Sequence, residues 1–218
     1  MTIPEGKPFS YYDLARGDAL SLVDPADKRV LDVGCGSGAT GKLLKSRGAR
    51  EVVGIEYQPA AAAQAESVLD RVLTGDVDTV PLDFAPCTFD LILCLDVLEH
   101  LPYPEETLRR LLPFLRDDGQ VLVSLPNIRY AGTLKKLIWE ADWPRLQSGI
   151  FDGTHLRWFT AKSAQRMFTD VGLRIVARRR NSISALAALL SRFPALQGLL
   201  SDWFTVQFLF LTQKTDRP

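Results

Sequence analysis

The sequence predicts an α/β domain built on a doubly wound, mostly parallel sheet. Three observations predict it: short continuous apolar runs recur as strands, helical segments separate them, and a glycine-rich turn closes the first run. Strands that are apolar throughout, rather than on alternate residues, are buried on both faces, and helical crossovers make neighbouring strands parallel. At 218 residues the chain suits a single domain spanning 1–218.

The first run, Arg29 to Val33, passes through Gly34, Gly36 and Gly38 into a helical segment, Thr40 to Arg47, with Leu43 and Leu44 inward and Gly48 as its stop. Val52 to Glu56 is a second strand, and Pro59 opens an alanine-rich helix reaching Leu69, proline being well placed in a first turn. Arg71 to Thr74 and Phe89 to Leu95 read as the third and fourth strands. Leu108, Leu111, Leu112 and Leu115 recur at helical spacing before the Asp118-Gly119 turn and a fifth strand, Gln120 to Ser124. Thr160 suits the N-cap of a helix that puts Ala164, Met167, Phe168 and Val171 on one face and stops at Gly172. Leu173 to Arg179 and Phe204 to Thr212 complete seven strands and bracket the apolar helical stretch Ile183 to Leu200.

Composition narrows the function. Lys plus Arg and Asp plus Glu are 26 each, which excludes the basic field that non-specific nucleic-acid binding requires and favours a small or neutral partner. Cys35, Cys87 and Cys94 are odd in number and lack paired spacing, so reduced thiols and a cytoplasmic location are expected. Met1 to Tyr12 has no signal-peptide core, and no apolar stretch approaches the ~18 residues of a membrane span. The stretch Ser184 to Leu200, beside Arg178-Arg179-Arg180, suits packing against the domain or a homodimer mate, with peripheral membrane contact as the alternative.

Gly36 to Gly41 spells G-x-G-x-x-G, with the acidic Glu56 about 20 positions on, a spelling that also admits a dinucleotide-binding unit. Charge separates the two. A carboxylate such as Asp32 at the strand end would repel a pyrophosphate on the turn, whereas a cationic ligand reverses the sign.

Val30-Leu31-Asp32-Val33-Gly34-Cys35-Gly36-Ser37-Gly38 resembles the first motif of class I S-adenosylmethionine-dependent methyltransferases. The resemblance implies their Rossmann-like fold, a seven-stranded sheet with the last strand antiparallel, and S-adenosylmethionine as cofactor, held by this turn. It implies further that Glu56 binds the ribose hydroxyls, Tyr57 lines the adenine pocket, Gly75-Asp76-Val77 reads the adenine amino edge and Leu95-Asp96 flanks the methionine moiety. Residues 1–25 would then form an N-terminal helical cap, with Tyr12 near the methyl donor, and 127–160 a substrate-side insertion. A surface position suits Arg16 better than contact with a ligand carboxylate.

The only two histidines, His100 and His155, follow the fourth strand and precede the Thr160 helix, so both belong near the carboxyl ends of the strands. Asp96-Val97-Leu98-Glu99-His100-Leu101, Ser124 to Tyr130 and Asp152 to Thr160 resemble a bacterial methyltransferase subgroup associated with glycosyltransferases and cell-surface polysaccharide synthesis, which implies a small-molecule or glycan acceptor. The Glu-His pair with a distant histidine also resembles the divalent-metal set of the small-RNA 2′-O-methyltransferase and, in its first part, ubiquinone-pathway O-methyltransferases; those use Glu where this chain has Asp96. Three readings therefore stand: Asp96, Glu99, His100 and His155 hold a divalent ion such as Mg or Mn, a histidine is a general base, or Glu99 and His100 merely shape a loop. Trp139, Trp143, Phe151 and Trp158 suit either stacking on an acceptor or a core position, and Arg157 suits either an anionic group or Asp152. For the whole chain, methyl transfer to an oxygen stands beside a cofactor-binding accessory role without turnover.

Overall fold

The computed structural model describes residues 13–182 and 201–215. The chain runs β1 (Arg29–Val33), α1 (Ala39–Ser46), β2 (Glu51–Glu56), α2 (Pro59–Ala65), β3 (Arg71–Thr74), β4 (Phe89–Leu95), α3 (Pro104–Leu111), β5 (Leu115–Pro126), α4 (Ala131–Trp139), α5 (Ala161–Asp170), β6 (Leu173–Ser182) and β7 (Thr205–Lys214). The strands form one sheet in the order β3-β2-β1-β4-β5-β7-β6. β1 to β5 pair in parallel, and β7 lies antiparallel between β5 and β6. The doubly wound, mostly parallel seven-stranded fold with an antiparallel last strand is thus the one observed.

Alternate residues of each central strand feed two apolar layers. On β4, Leu91 and Leu93 pack with Leu44 of α1 and Ala65 of α2, while Phe89, Ile92 and Cys94 pack with Leu108 and Leu111 of α3 and Phe168 of α5. From Leu91 to Cys94 both faces of the strand are therefore dry, as that apolar run requires. Thr160 caps α5 through Ser163 in a reciprocal capping box.

Leu115 departs from expectation. It lies not on the α3 face but at the start of β5, paired with Phe89 and fully buried. Pro113 has no N–H to continue a helix, so α3 ends at Leu111 and a short 3-10 turn, Leu112–Phe114, delivers the chain to the sheet at Leu115, ahead of the Gln120 start that the Asp118-Gly119 signal suggested.

The expected helix 183–200 lies outside the described residues, as does Tyr12. The basic run sits on β6, where Arg178 lies over the Phe208 ring, Arg179 donates to Ser21 and Arg180 pairs with Asp202. No helix among the described residues is long and apolar enough to cross a membrane.

The glycine turn depends on close packing. A Cβ on Gly41 would clash with the Leu69 side chain and lie 3.2 Å from Val52 Cγ1, so the glycine lets α1 lie close against β2. Gly41→Ala is expected to lower unfolding free energy by about 1–3 kcal/mol in urea titration, by overpacking a dry layer.

Candidate active site

The carboxyl ends of β1 to β4 open on one cavity of about 300 Å³. This is the position at which open parallel sheets bind ligands. The β1 end supplies Asp32, Gly34, Cys35 and Gly36, and the β2 end supplies Glu56 and Tyr57. Asp76 and Val77 line it from the end of β3, Leu95 and Asp96 from the end of β4. Ser37 and Gly38, expected in the same set, are not in the wall. Ser37 donates a hydrogen bond to Asp13 at 2.9 Å, and Gly38 turns the chain into α1 at φ 87°.

Backbone geometry makes the floor. Gly34 adopts φ 69° and Gly36 φ 56°, both left-handed, and a Cβ on Gly34 would lie 2.7 Å from Val97. With that path taken, the Gly36 N–H donates to Glu56 Oε2 at 2.8 Å, while Glu56 Oε1 accepts the Gln58 N–H at 2.8 Å. Burial still raises the Glu56 carboxyl above its usual range against these two donors. Asp32 is 2% exposed, its Oδ2 meets no hydrogen-bond partner among the described residues, and burial together with the Glu56 charge pushes its pKa up to about 7.

Asp96 turns the wall at φ 58°, a conformation that costs a non-glycine residue of order 1–2 kcal/mol and persists only where surroundings fix it. They do. Ser124 Oγ accepts the Asp96 N–H at 2.8 Å and donates to Asp96 Oδ1 at 2.7 Å, Gln207 Nε2 donates to the same oxygen, and Arg16 pairs with Oδ2. Arg16 is not the surface residue its neighbours in sequence suggested. It is 9% exposed, pairs also with Asp18, donates to Gln207 at 2.9 Å, and helps line the cavity.

The two histidines meet. His100 ends the 3-10 turn Leu98–His100 beyond β4 and lines the cavity, and the His155 ring stands 4.8 Å from it, edge to face. Main-chain bonds fix the two segments together, because the Glu99 carbonyl accepts the N–H groups of Leu156 at 2.8 Å and Arg157 at 3.0 Å. Glu99 is 1% exposed, its Oε2 meets no hydrogen-bond partner among the described residues, and burial and then Asp96 raise its carboxyl well above the usual range. Arg157 donates to the Pro102 carbonyl at 2.9 Å. Trp143, Phe151 and Trp158 form an edge-to-face cluster on the 127–160 segment, whereas Trp139 is 78% exposed.

A family model described as a methyltransferase domain matches residues 11–178. The chain belongs to that family. Over 110 residues it is 34% identical to the ubiquinone biosynthesis O-methyltransferase of Neisseria meningitidis, an alignment covering 48% of this chain and 46% of the relative. The chain spans about half the length of the curated relatives it matches. Solved structures share the fold: an S-adenosylmethionine-dependent methyltransferase from Archaeoglobus fulgidus has TM-score 0.69 and 17% identity, covering 91% of both chains. One from Mesorhizobium loti has TM-score 0.66 and 17% identity, covering 90% of this chain and 96% of that one.

Membership in the methyltransferase-domain family implies S-adenosylmethionine, and the cavity fits it. The ligand brings a sulfonium and an ammonium, and the wall brings a buried carboxylate with a spare oxygen, a second carboxylate on β2 and no pairing cation for either among the described contacts. A buried acceptor without a donor is costly, and a ligand that supplied a donor would offset that cost. For the metal set of this methyltransferase-domain chain, the structure separates one member from the rest. Glu99, His100 and His155 offer ligand atoms within 4.8 Å of one another, but Asp96 is not in that group, its oxygens being held by Arg16, Ser124 and Gln207.

Sequence reasoning passed over Thr154, which lines the cavity beside His100, and the bracing of Asp96 by Ser124 and Gln207. The only signal for Thr154 was its place next to His155. Gln207 gave none, being brought in by β7.

Proposed function

We propose that this chain transfers a methyl group from S-adenosylmethionine to an oxygen nucleophile of a small-molecule acceptor. One observation carries the reading: the same cavity has in its wall a buried Asp32 carboxylate oxygen that meets no hydrogen-bond partner among the described residues and an imidazole, His100. When bound, S-adenosylmethionine supplies an electrophilic methyl on a positively charged sulfur. Asp32 and Glu56 offset the cationic charge, the left-handed glycines let the backbone approach the ligand, and Asp76 and Tyr57, which line the same cavity, hold its remote end. His100 takes the acceptor proton as the oxygen commits to attack, and the apolar walls at Leu95 and Leu101 keep bulk water away.

The relatives named ubiquinone biosynthesis O-methyltransferase support an oxygen acceptor and give no support to a glycan one. Transfer of labelled methyl to a panel of phenols, nucleotide sugars, glycolipids and small RNA tests the reading. Product methylated only on nitrogen would sink it, and tight cofactor binding with no product from any acceptor would leave the accessory role.

A divalent ion at Glu99, His100 and His155 is a second reading, favoured by the convergence of their ligand atoms and by Glu99 Oε2, which is buried and meets no hydrogen-bond partner among the described residues. Two nitrogens and one oxygen suit Mn better than Mg. Such an ion would supply Lewis acidity near the acceptor hydroxyl. Under it, exhaustive chelation is expected to lower kcat by about 10-fold or more, with Mn restoring it and metal analysis finding one ion per chain. Full activity in chelator removes the ion and leaves His100 as the base.

A further inference from the structure

Among the described contacts, His100 Nδ1 meets the Thr154 hydroxyl at 2.9 Å and the Thr154 carbonyl oxygen at 3.3 Å. The carbonyl can only accept. The hydroxyl is committed elsewhere, because it donates to Asp152 Oδ1 at 2.7 Å, an oxygen that also takes the Thr154 N–H at 2.9 Å. Asp152 is itself 5% exposed and held in a closed turn, with the His155 N–H on its carbonyl at 3.1 Å. Both oxygens facing Nδ1 are therefore acceptors, and only an N–H at Nδ1 satisfies them.

We propose that Thr154, anchored by Asp152, is a positioning residue that holds the His100 imidazole in its Nδ1–H tautomer and makes Nε2 its basic nitrogen. A ring free to exchange tautomers presents the required lone pair for only part of the time; the Asp152–Thr154–His100 chain removes that loss before an acceptor arrives. The role rests on the proposed oxygen methylation for its catalytic consequence, and it holds whether Nε2 receives a proton or ligates a cation.

The chain has only two histidines, so nitrogen NMR of histidine-labelled, full-length protein resolves each ring. The His155 tautomer is read separately, its Nδ1 facing the Ile150 carbonyl at 3.2 Å. With both rings neutral, wild-type His100 is expected to show a protonated Nδ1 and an unprotonated Nε2. Thr154→Val keeps the shape but loses the hydroxyl, leaving the 3.3 Å carbonyl contact at the weak end of hydrogen-bond distances. Its His100 is expected to populate the Nε2–H form, and kcat to fall by about 10-fold with KM for S-adenosylmethionine within about 2-fold. Thr154→Ser, which keeps the hydroxyl, is expected to restore both the tautomer and kcat.

An Nε2–H tautomer in the wild type, or an unchanged His100 spectrum in Thr154→Val, overturns the proposal. The spectrum needs no turnover, so failure of the methyl-transfer reading would appear separately, as absence of product alongside an intact tautomer lock.

Discussion

Asp32→Asn is expected to make the cofactor-free protein more stable while making it bind S-adenosylmethionine worse. The two effects have one cause. Asp32 is 2% exposed, lies near Glu56, and has its pKa raised from 3.8 to about 7, so its ionised form is disfavoured by folding. Between those two values the folded state holds the proton more tightly than the unfolded chain does. Unfolding free energy therefore falls as pH rises from 3.8 to about 7, and the Asp32 contribution is constant above that. A neutral isostere escapes the penalty, and in thermal melts at about pH 8 Asp32→Asn is expected to gain roughly 1–3 kcal/mol, less whatever its amide leaves unpaired.

Binding runs the other way. A cationic ligand prefers the ionised carboxylate, so wild-type affinity should strengthen from about pH 6 to about pH 8 with release of a proton, then level off. Losing the charge costs about 1.5–3 kcal/mol, roughly 10- to 150-fold in Kd by calorimetry, and should flatten the pH slope. An Asp32→Asn protein that binds with wild-type affinity and the wild-type slope would remove Asp32 from the cofactor's electrostatics.

What the sequence could and could not reveal divides along the range of the interactions concerned. The strand, glycine turn and helix from Arg29 to Ser46 were readable because each signal is local: an apolar run, glycines where φ is positive, a helical face led by Leu44. The Thr160 cap was readable for the same reason, its partner Ser163 being three residues away. Arg16 was not. Its own neighbours describe a polar surface, but Asp96 and Gln207, which bury it, are 80 and 191 positions away. The insertion of β7 between β5 and β6 belongs to the same class, since it depends on Val121 to Leu125 preferring Phe208 to Thr212 across the sheet. Asp96 combines the two cases: its place after β4 was legible, whereas its left-handed backbone and its engagement by three other segments, which take it out of the converging metal set, were not.

His100→Ala is expected to lower kcat by about 10²–10⁴-fold while S-adenosylmethionine affinity stays within about 3-fold, since the ring lines the cavity but neutralises no cofactor charge. Comparison with its neighbours assigns the chemistry. If Nε2 of His100 receives the proton alone, His155→Ala should cost far less, because His155 meets the His100 ring edge to face and takes no proton in that mechanism. Glu99→Gln should then be nearly silent, because burial and Asp96 already favour a neutral acid at that position, and the main-chain carbonyl that anchors Leu156 and Arg157 is untouched. If a divalent ion joins the three residues, Glu99→Gln removes its one anionic ligand, and all three variants should fall together, by about 10-fold or more each, with parallel loss of bound metal. Wild-type kcat in His100→Ala would exclude both, because neither a proton acceptor nor a cation at this end of the cavity can do without that ring.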